Sequence, residues 1–506
     1  MENNDHLTDS RFAMSPNPLV AALGDPMRRT REDIMRYIEE NGIRMVNFMY
    51  PAADGRLKTL NFVVNSREYL ETILSTGERV DGSSLFPFIE PSRSDLYVIP
   101  RYASAFIDPF APIPTLTMLC SFFDKDGNPL DSDPRGVLSR ACREFNKATG
   151  LEFECMGELE YYVIAADPGA FPATDQKGYH ESAPFAKFND FRVKAMAMIA
   201  SIGGNIKYGH SEVGNFTYRS MVYEQNEIEF LPGPALDSAD HLMLAKWVLR
   251  NLAAREGLGL TFAPKITVGK AGSGFHIHMR LMKDGQNVTQ TPQRTLSDYA
   301  RRAIAGIMTL APSITAFGNT IPASYLRLVP NQEAPTNVCW GDRNRSVLVR
   351  VPLGWTSGKD MCVQVNPDDP CAIETYGKQT FEMRSPDCSA DVYSLIAALC
   401  VAARKGFDMP DALDVAERTY VDVNIHAREN RDRLKGLDCL PASCVASAEC
   451  LSRQREAYEE RGVFSPAMID NAISRLRAYD DEHLAEYLKS NPEQMNELVN
   501  RYFHCG

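Results

Sequence analysis

Four short stretches of this chain read as strand on one face and ionisable on the other: "GELEYYVI" (157–164), "QNEIEF" (225–230), "GFHIH" (274–278) and "FEMRSP" (381–386). In an extended chain, alternate side chains share a face. Glu158 and Glu160 therefore point one way, with Leu159 opposite. Glu227 pairs with Glu229, His276 with His278, and Glu382 with Arg384 in the same manner. Glu212, in "GHSEVG", precedes the second stretch. One such strand on a solvated sheet means nothing. Four of them predict a sheet face or barrel interior lined with carboxylates and imidazole. If that face is enclosed, like charges must be neutralised by a cation or by protonation. Oxygen-rich clusters of this kind suit Mg2+ or Mn2+ rather than zinc.

Other stretches supply cations. "SYLRLVP" supplies Arg327, "DRNRSVLVRVP" supplies Arg343, Arg345 and Arg350, and Arg384 has been met already. Each alone reads as a surface ion pair. Together, the guanidinium fork suits carboxylates and phosphates, and divalent ions beside arginines meet the needs of phosphoryl transfer. No Gly-x-x-x-x-Gly-Lys-Ser/Thr loop occurs, which excludes a P-loop site. The formal charge of −12 argues against general nucleic-acid binding. It leaves ATP admissible, because a nucleotide meets a local field and often a bound metal.

The 506 residues predict several domains. The twelve cysteines are scattered without a Cys-x-x-Cys pair, which reads as reduced thiols. The N-terminus is polar and acidic, unlike a signal peptide, and no apolar run could span a bilayer. A cytoplasmic protein without a membrane partner is expected. Residues 1–30 lack periodicity and read as a flexible arm. Residues 31–125 begin with one helical segment, carrying Ile34, Tyr37 and Ile38, and continue as strands and turns with little further helix. Asp133 and Pro134 then suit the start of a helix, opening a larger unit over 130–506. Further helices are expected from about Asp237 to a stop at Gly257, over about 393–405 with a stop at Gly406, and from Ser465-Pro466.

In this order, the motifs resemble those of the glutamine synthetase family, the ATP-dependent carbon–nitrogen ligases that include glutamate–ammonia ligases and γ-glutamyl-amine ligase relatives. The resemblance rests on "VDGSSLFPFIEPSRSDLYVIP", "DSDPRGVLSRA", "GELEYYVI", "QNEIEF", "PKITVGKAGSGFHIH", "YLRLVPNQEAPTNVCWGDRNRSVLVRVP", "FEMRSPDCSADVYSLIAAL" and "RGVFSPAMIDNAISRLR". It covers roughly residues 31–503. It implies an α+β chain: an N-terminal β-grasp domain, then a catalytic ATP- and metal-binding domain with a funnel of antiparallel strands surrounded by helices. It also implies a homo-oligomer of stacked rings, a dodecamer, with active sites shared between subunits. The implied partners are glutamate, ammonia or an amine, and ATP as co-substrate, in glutamine biosynthesis and nitrogen metabolism.

Residue roles follow from the same resemblance. Glu160, Glu212 and Glu227 would hold one Mg2+ or Mn2+ ion, and Glu158, His276 and Glu382 a second. Arg345 and Arg350 would face the phosphates, with His278 on the nucleotide side. Arg327 and Arg384 would hold the substrate carboxylates, and Gly272 lies in the loop that approaches the amino acid. Glu333, in "NQEAP", matches a flap carboxylate that closes the site. Asp81 matches a carboxylate supplied by a neighbouring subunit at the ammonium site, and Tyr179 an aromatic there.

Some positions depart from the family pattern. Lys270-Ala271 stands where Asp-Asn precedes Gly-Ser-Gly, Thr380 replaces an arginine, and Arg280 replaces a small polar residue. The segment between Glu212 and Glu227 is longer, carrying "NFTYRSM", and Leu437 stands at a modifiable tyrosine. Three readings result: a glutamine synthetase using ammonia, a γ-glutamyl-amine ligase or ligase for another acid, and a structural relative without catalysis. Asp81, Asp95 and Glu333 favour the first, and Ala271, Thr380 and the insertion the second. Retention of all six implied metal ligands argues against the third, because clustered like charges are costly.

Overall fold

The computed structural model describes residues 14–506 apart from 268, 330–333, 353–360, 370–376, 426, 428, 431–433 and 492. The first core is built by six strands: β1 (Met45–Pro51), β2 (Leu57–Val63), β3 (Glu78–Asp81), β4 (Asp95–Pro100), β5 (Phe106–Ile107) and β6 (Thr115–Phe123). Their order is β2-β1-β6-β4-β3, with β5 on β6; β1 and β6 run parallel and the other pairs antiparallel. Helices α1 (Pro18–Leu23), α2 (Arg31–Glu40) and α3 (Arg67–Thr76) cover this sheet, burying Leu19, Ile34, Ile38, Leu70 and Ile73 with Val46, Phe48 and Phe122.

Two of these helices differ from the sequence reading. Residues 18–23 were expected in an unstructured arm. Asn17 caps them through Leu19 N at 3.0 Å, Pro18 takes the first turn, and Leu19 is fully buried. Six residues are too few to display a helical period, so only the cap signals it. Arg29 is likewise buried and donates to the Ala105 carbonyl at 3.1 Å. Helix α3 also went unread, although Ser66 caps it, Leu70, Ile73 and Leu74 form its buried stripe, and Gly77 ends it. Gly77 sits at φ +65°, and a Cβ there would lie 2.2 Å from the Val98 carbonyl.

The larger core starts at α4 (Pro134–Thr149), with Asp133 at its N-cap. Its sheet contains β7 (Glu152–Ala166), β8 (Ile206–Tyr218), β9 (Met221–Phe230), β10 (Gly233–Pro234), β11 (Gly259–Thr261), β12 (Phe275–Lys283), β13 (Gln286–Asn287), β14 (Trp340–Asp342), β15 (Val349–Val351) and β16 (Phe381–Met383). Among the described residues the order is β14-β15-β16-β12-β7-β9-β8, antiparallel except for β14 with β15. Helices α5 (Asn189–Ser201), α6 (Ala235–Glu256) and α7 (Asp298–Gly318) pack against it with α4; α10 (Val392–Asp408) lies on α4, α6 and α7, α11 (Ala412–Arg418) and α12 (Cys444–Glu459) lie on α7, and α13 (Pro466–Arg477) lies on α12, while the short α8 (Ser324–Arg327) and α9 (Met361–Val365) fall between β13 and β16 in the chain. Helix α6 begins two residues before the expected start and ends at left-handed Gly257, with Leu242, Ala245, Leu249 and Leu252 buried. None of the described helices is long and apolar enough to cross a membrane.

Gly406 does not end α10 as expected; the helix runs through it to Asp408. The glycine serves packing instead. A Cβ on Gly406 would lie 1.8 Å from the Arg302 carbonyl, and one on Gly306 2.0 Å from the Ala402 carbonyl. Helices α7 and α10 therefore meet backbone to backbone. Gly406→Ala is expected to lower stability by about 1–3 kcal/mol through overpacking, read as a urea midpoint shift. An unchanged midpoint would mean that the two helices separate without cost.

Candidate active site

Register across the larger sheet assembles the ionisable row. On β7, Glu158 stands opposite His276 of β12 and Glu229 of β9, and Glu160 opposite Glu227. On β12, His278 faces Glu382 of β16, which also pairs with Arg350 of β15. On β8, His210 stands opposite Glu227 and Tyr208 opposite Glu229. The register is held from behind: Leu159, Ile228, Phe275, Ile277, Phe381 and Met383 alternate with these groups and are fully buried. A one-residue slip would exchange the two faces along a whole strand.

The row is strongly coupled. Glu158 has His276 Nδ1 at 2.8 Å from one oxygen and His278 Nε2 at 2.9 Å from the other. Burial would push its carboxyl up, but His278 and His276 outweigh burial and hold it well below the usual range. Burial pulls the His278 imidazole down, and Glu158 and Glu382 more than reverse that. The second nitrogen of His278 lies 2.9 Å from Thr380 Oγ1, which fixes the ring. Glu382 accepts from Arg350 Nη1 at 3.0 Å and lies 3.0 Å from Arg384 Nε. That second contact is an ion pair by distance only, because Arg384 Nε has no hydrogen-bond partner by angle. Lys207 Nζ reaches Glu229 at 2.5 Å.

Glu227 is pushed the other way. Burial first, then Glu158, Glu160, Glu212 and Glu229, raise its carboxyl well above the usual range. The imidazole beside it, His210 at 3.6 Å, is itself lowered by burial. Among the described residues, three groups bring ligand atoms within 4.8 Å of one another: Glu158, His278 and Glu382; His210, Glu212 and Glu227; and Glu158, Glu227 and Glu229. Carboxylates crowded in this way, joined by imidazole, fit a hard divalent cation by donor type and by excess negative charge.

The expected site residues fall as follows. His276 reaches Glu158, but it stands 3.9 Å from both Glu160 and Glu382. The histidine grouped with Glu158 and Glu382 is His278, which was expected on the nucleotide side. Glu160 lies beside Glu227, yet one of its oxygens accepts from Gln225 Nε2 and Gly274 N, each at 2.8 Å. Arg327 Nη1 donates to the Ser385 carbonyl at 2.8 Å, and Nη2 lies 3.5 Å from His276 Nε2. Arg384 donates to the Arg345 carbonyl, while the Arg345 residue is exposed. A Cβ on Gly272 would lie 2.4 Å from the Pro264 carbonyl and 3.2 Å from Arg327 Cδ. Asp81 is exposed on the smaller sheet, and its hydrogen bonds to Ser83 and Ser84 are local; they hold its carboxyl below the usual range. Glu333 lies outside the described residues.

Several contributors escaped the sequence reading. His210 shares a strand face with Glu212 by the same two-residue spacing as Glu158 and Glu160, a signal that was present. Gln225 and the hydroxyl of Thr380 carry no such signal, since their role depends on partners on other strands. Tyr179 stacks on His180 with centroids 4.1 Å apart and meets the His210 ring edge-on at 5.5 Å. Tyr208 lies 5.8 Å from His210. A cavity of about 510 Å3 opens beside them, bounded by His180, Glu181, Ser182, Ala183, Arg192 and His210.

Residues 131–491 match the glutamine synthetase catalytic domain, and residues 42–125 the glutamine synthetase β-grasp domain. Among curated relatives, a glutamine synthetase of Clostridium saccharobutylicum is 31% identical over 441 residues, covering 86% of this chain and 91% of the relative. One of Frankia alni is 30% identical over 485 residues, covering 88% and 94%. Among solved structures, Plasmodium falciparum glutamine synthetase superposes with a TM-score of 0.73 at 19% identity, covering 90% of this chain and 97% of that one. A GmaS–ADP complex gives 0.70 at 19% identity, covering 90% and 98%. At that identity the superpositions speak for the fold.

Proposed function

The chain belongs to the glutamine synthetase family, and from that premise we propose that it is an ATP-dependent ligase joining the γ-carboxylate of glutamate to ammonia through a γ-glutamyl phosphate. The observation that carries this reading is the row of buried Glu160, Glu227, Glu229, Glu382 and His278 with part-buried Glu158 and His276, flanked by Arg327, Arg350 and Arg384. Glu158, Glu160, Glu212, Glu227, Glu382, His276 and His278 are the groups that would hold Mg2+ or Mn2+. Such a cation, when bound, would neutralise charge on the transferred phosphoryl group.

The chain's own groups do the rest. Arg327 and Arg384 orient the acid's carboxylates, and Arg345 and Arg350 face the phosphates. A γ-carboxylate oxygen bonds to the γ-phosphorus of ATP as the bond to the ADP oxygen breaks. Ammonia then bonds to the acyl carbon as phosphate leaves, and its proton passes to a carboxylate. Glu333 and Asp81 of a neighbouring copy are assigned to that step, within stacked rings that share their sites. Closure over the acyl phosphate excludes water, which would otherwise hydrolyse it.

A second reading, a larger primary amine as acceptor, is favoured by the ring cluster of Tyr179, His180, Tyr208 and His210, of which His180 and His210 line the cavity. Ring faces accept an alkylammonium, whereas ammonia needs no such walls. The test is phosphate release from ATP with glutamate and ammonium, then with a panel of primary amines. Glutamine formation with ammonium is the expected result. Turnover with an amine alone would replace ammonia by that amine, and no turnover with bound Mn2+ would reject the ligase reading.

A further inference from the structure

The loop at residues 269–274 is held from two sides. On its inner side, Gly274 N donates to Glu160, and Gln225 Nε2 bridges Glu160 at 2.8 Å and the Gly272 carbonyl at 3.0 Å. The backbone runs directly beside both side chains there: a Cβ on Gly274 would lie 2.6 Å from Arg327 Nη2 and 2.8 Å from His276 Nε2. On its outer side, Ala271 N donates to Gln176 Oε1 at 2.7 Å, and the Ala271 carbonyl accepts from Tyr162 Oη at 2.8 Å. Lys270 Nζ reaches Asp175 Oδ2 at 2.5 Å and lies 5.5 Å from the centre of the Phe216 ring.

Phe216 belongs to the lengthened segment between Glu212 and Glu227. That segment is a hairpin extending β8 and β9, turning through Arg219 and Ser220 at φ +47° and +61°. Phe216 stacks on Tyr223 across the hairpin, with centroids 4.6 Å apart and planes 4° apart. Asn215 at its base accepts from Gln176 N at 2.9 Å and Lys177 N at 3.0 Å. The two departures from the family pattern, the insertion and Lys270-Ala271, are thus in contact with each other.

We propose that Lys270, Asp175 and Phe216 form a latch that sets the backbone of residues 272–274 against Glu160 and Arg327, and so governs affinity for the carboxylic-acid substrate. The affinity claim rests on the ligase reading above; the mechanical claim does not. All three are positioning residues acting through the loop. A partly exposed ion pair adds little to global stability. A loop displaced by a fraction of an ångström, however, moves Gly274 N off Glu160 and the backbone off Arg327, and misplacement of about 1 Å costs up to about 10²-fold in a catalytic site.

The test compares Lys270→Ala, Asp175→Ala and Phe216→Ala with Lys270→Arg. In the first three, kcat/KM for glutamate is expected to fall about tenfold, with the KM for ATP unchanged. Lys270→Arg keeps both the charge and the ring contact and is expected to stay near wild type. Backbone amides of residues 272–274 are expected to exchange with deuterium about fivefold faster in the alanine variants at unchanged melting temperature. Unchanged exchange in all three would overturn the latch. A joint rise in the KM for glutamate and for ATP would overturn its assignment to the acid. A wild type without glutamate turnover would defeat the ligase reading alone, and the exchange measurement would still decide the latch.

Discussion

Glu382→Ala is expected to cut ligase turnover by about 10²–10³-fold or more and to weaken Mn2+ binding. The carboxylate is 2% exposed and lies within 3.4 Å of Arg350, Arg384 and His278. Alanine leaves two guanidinium groups and a raised imidazole facing one another without their shared anion. Arg350 and Arg384 then repel, and a cation brought to Glu158 meets positive charge where it had met an oxygen ligand. Glu382→Gln keeps the shape and removes the charge, so it separates packing from electrostatics. Phosphate release and calorimetric Mn2+ titration measure the two effects. Near-normal turnover with unchanged Mn2+ affinity would remove Glu382 from the site.

Asp240→Ala is expected to destabilise the fold by about 3–5 kcal/mol, the range for breaking a buried ion pair from one side. Asp240, on α6, accepts from Arg101 Nη2 at 2.8 Å, Arg135 Nε at 3.1 Å and Tyr393 Oη at 2.7 Å. These partners come from the segment after β4, from α4 and from α10, so one carboxylate joins the smaller sheet to three helices of the larger core. Burial would push its carboxyl up, but Arg101 and Arg135 prevail and it stays below the usual range. The sign follows. Its contribution is fully present above the unfolded carboxyl value of about 3.9 and is lost as pH falls through the lower folded value. Urea unfolding of wild type and Asp240→Asn at neutral and acid pH measures this. The gap between them should be wide at pH 7 and should narrow in acid. A gap that does not change with pH would mean that the charge on Asp240 is not what stabilises the junction.

Much of the candidate site was legible because strand alternation is a property of the chain itself. "GELEYYVI" and "QNEIEF" commit their glutamates to one face whatever partners they find. Local chemistry also announced α4 through Asp133-Pro134 and α13 through Ser465-Pro466. Gly406 misled because a glycine after an apolar stripe usually ends a helix, whereas here it permits a helix to touch its neighbour. The two readings differ only in what lies across the contact, which neighbouring residues in the chain do not record.

What the sequence by itself determined, then, was the chemistry of the faces: which strands would carry carboxylate, imidazole and guanidinium, and that these groups needed one another. Only the tertiary structure decided the pairings. His278 draws together with Glu158 and Glu382, and His210 with Glu212 and Glu227, while His276 lies 2.8 Å from Glu158 and Glu160 stands opposite Glu227. The physical reason is register. Period-two alternation assigns a side chain to a face, but its neighbour on that face depends on how far one strand has slid along another. That offset is set by Leu159, Ile228, Phe275 and Phe381 packing on the opposite side of the sheet, and by loops such as 269–274 anchored 95 residues away at Asp175.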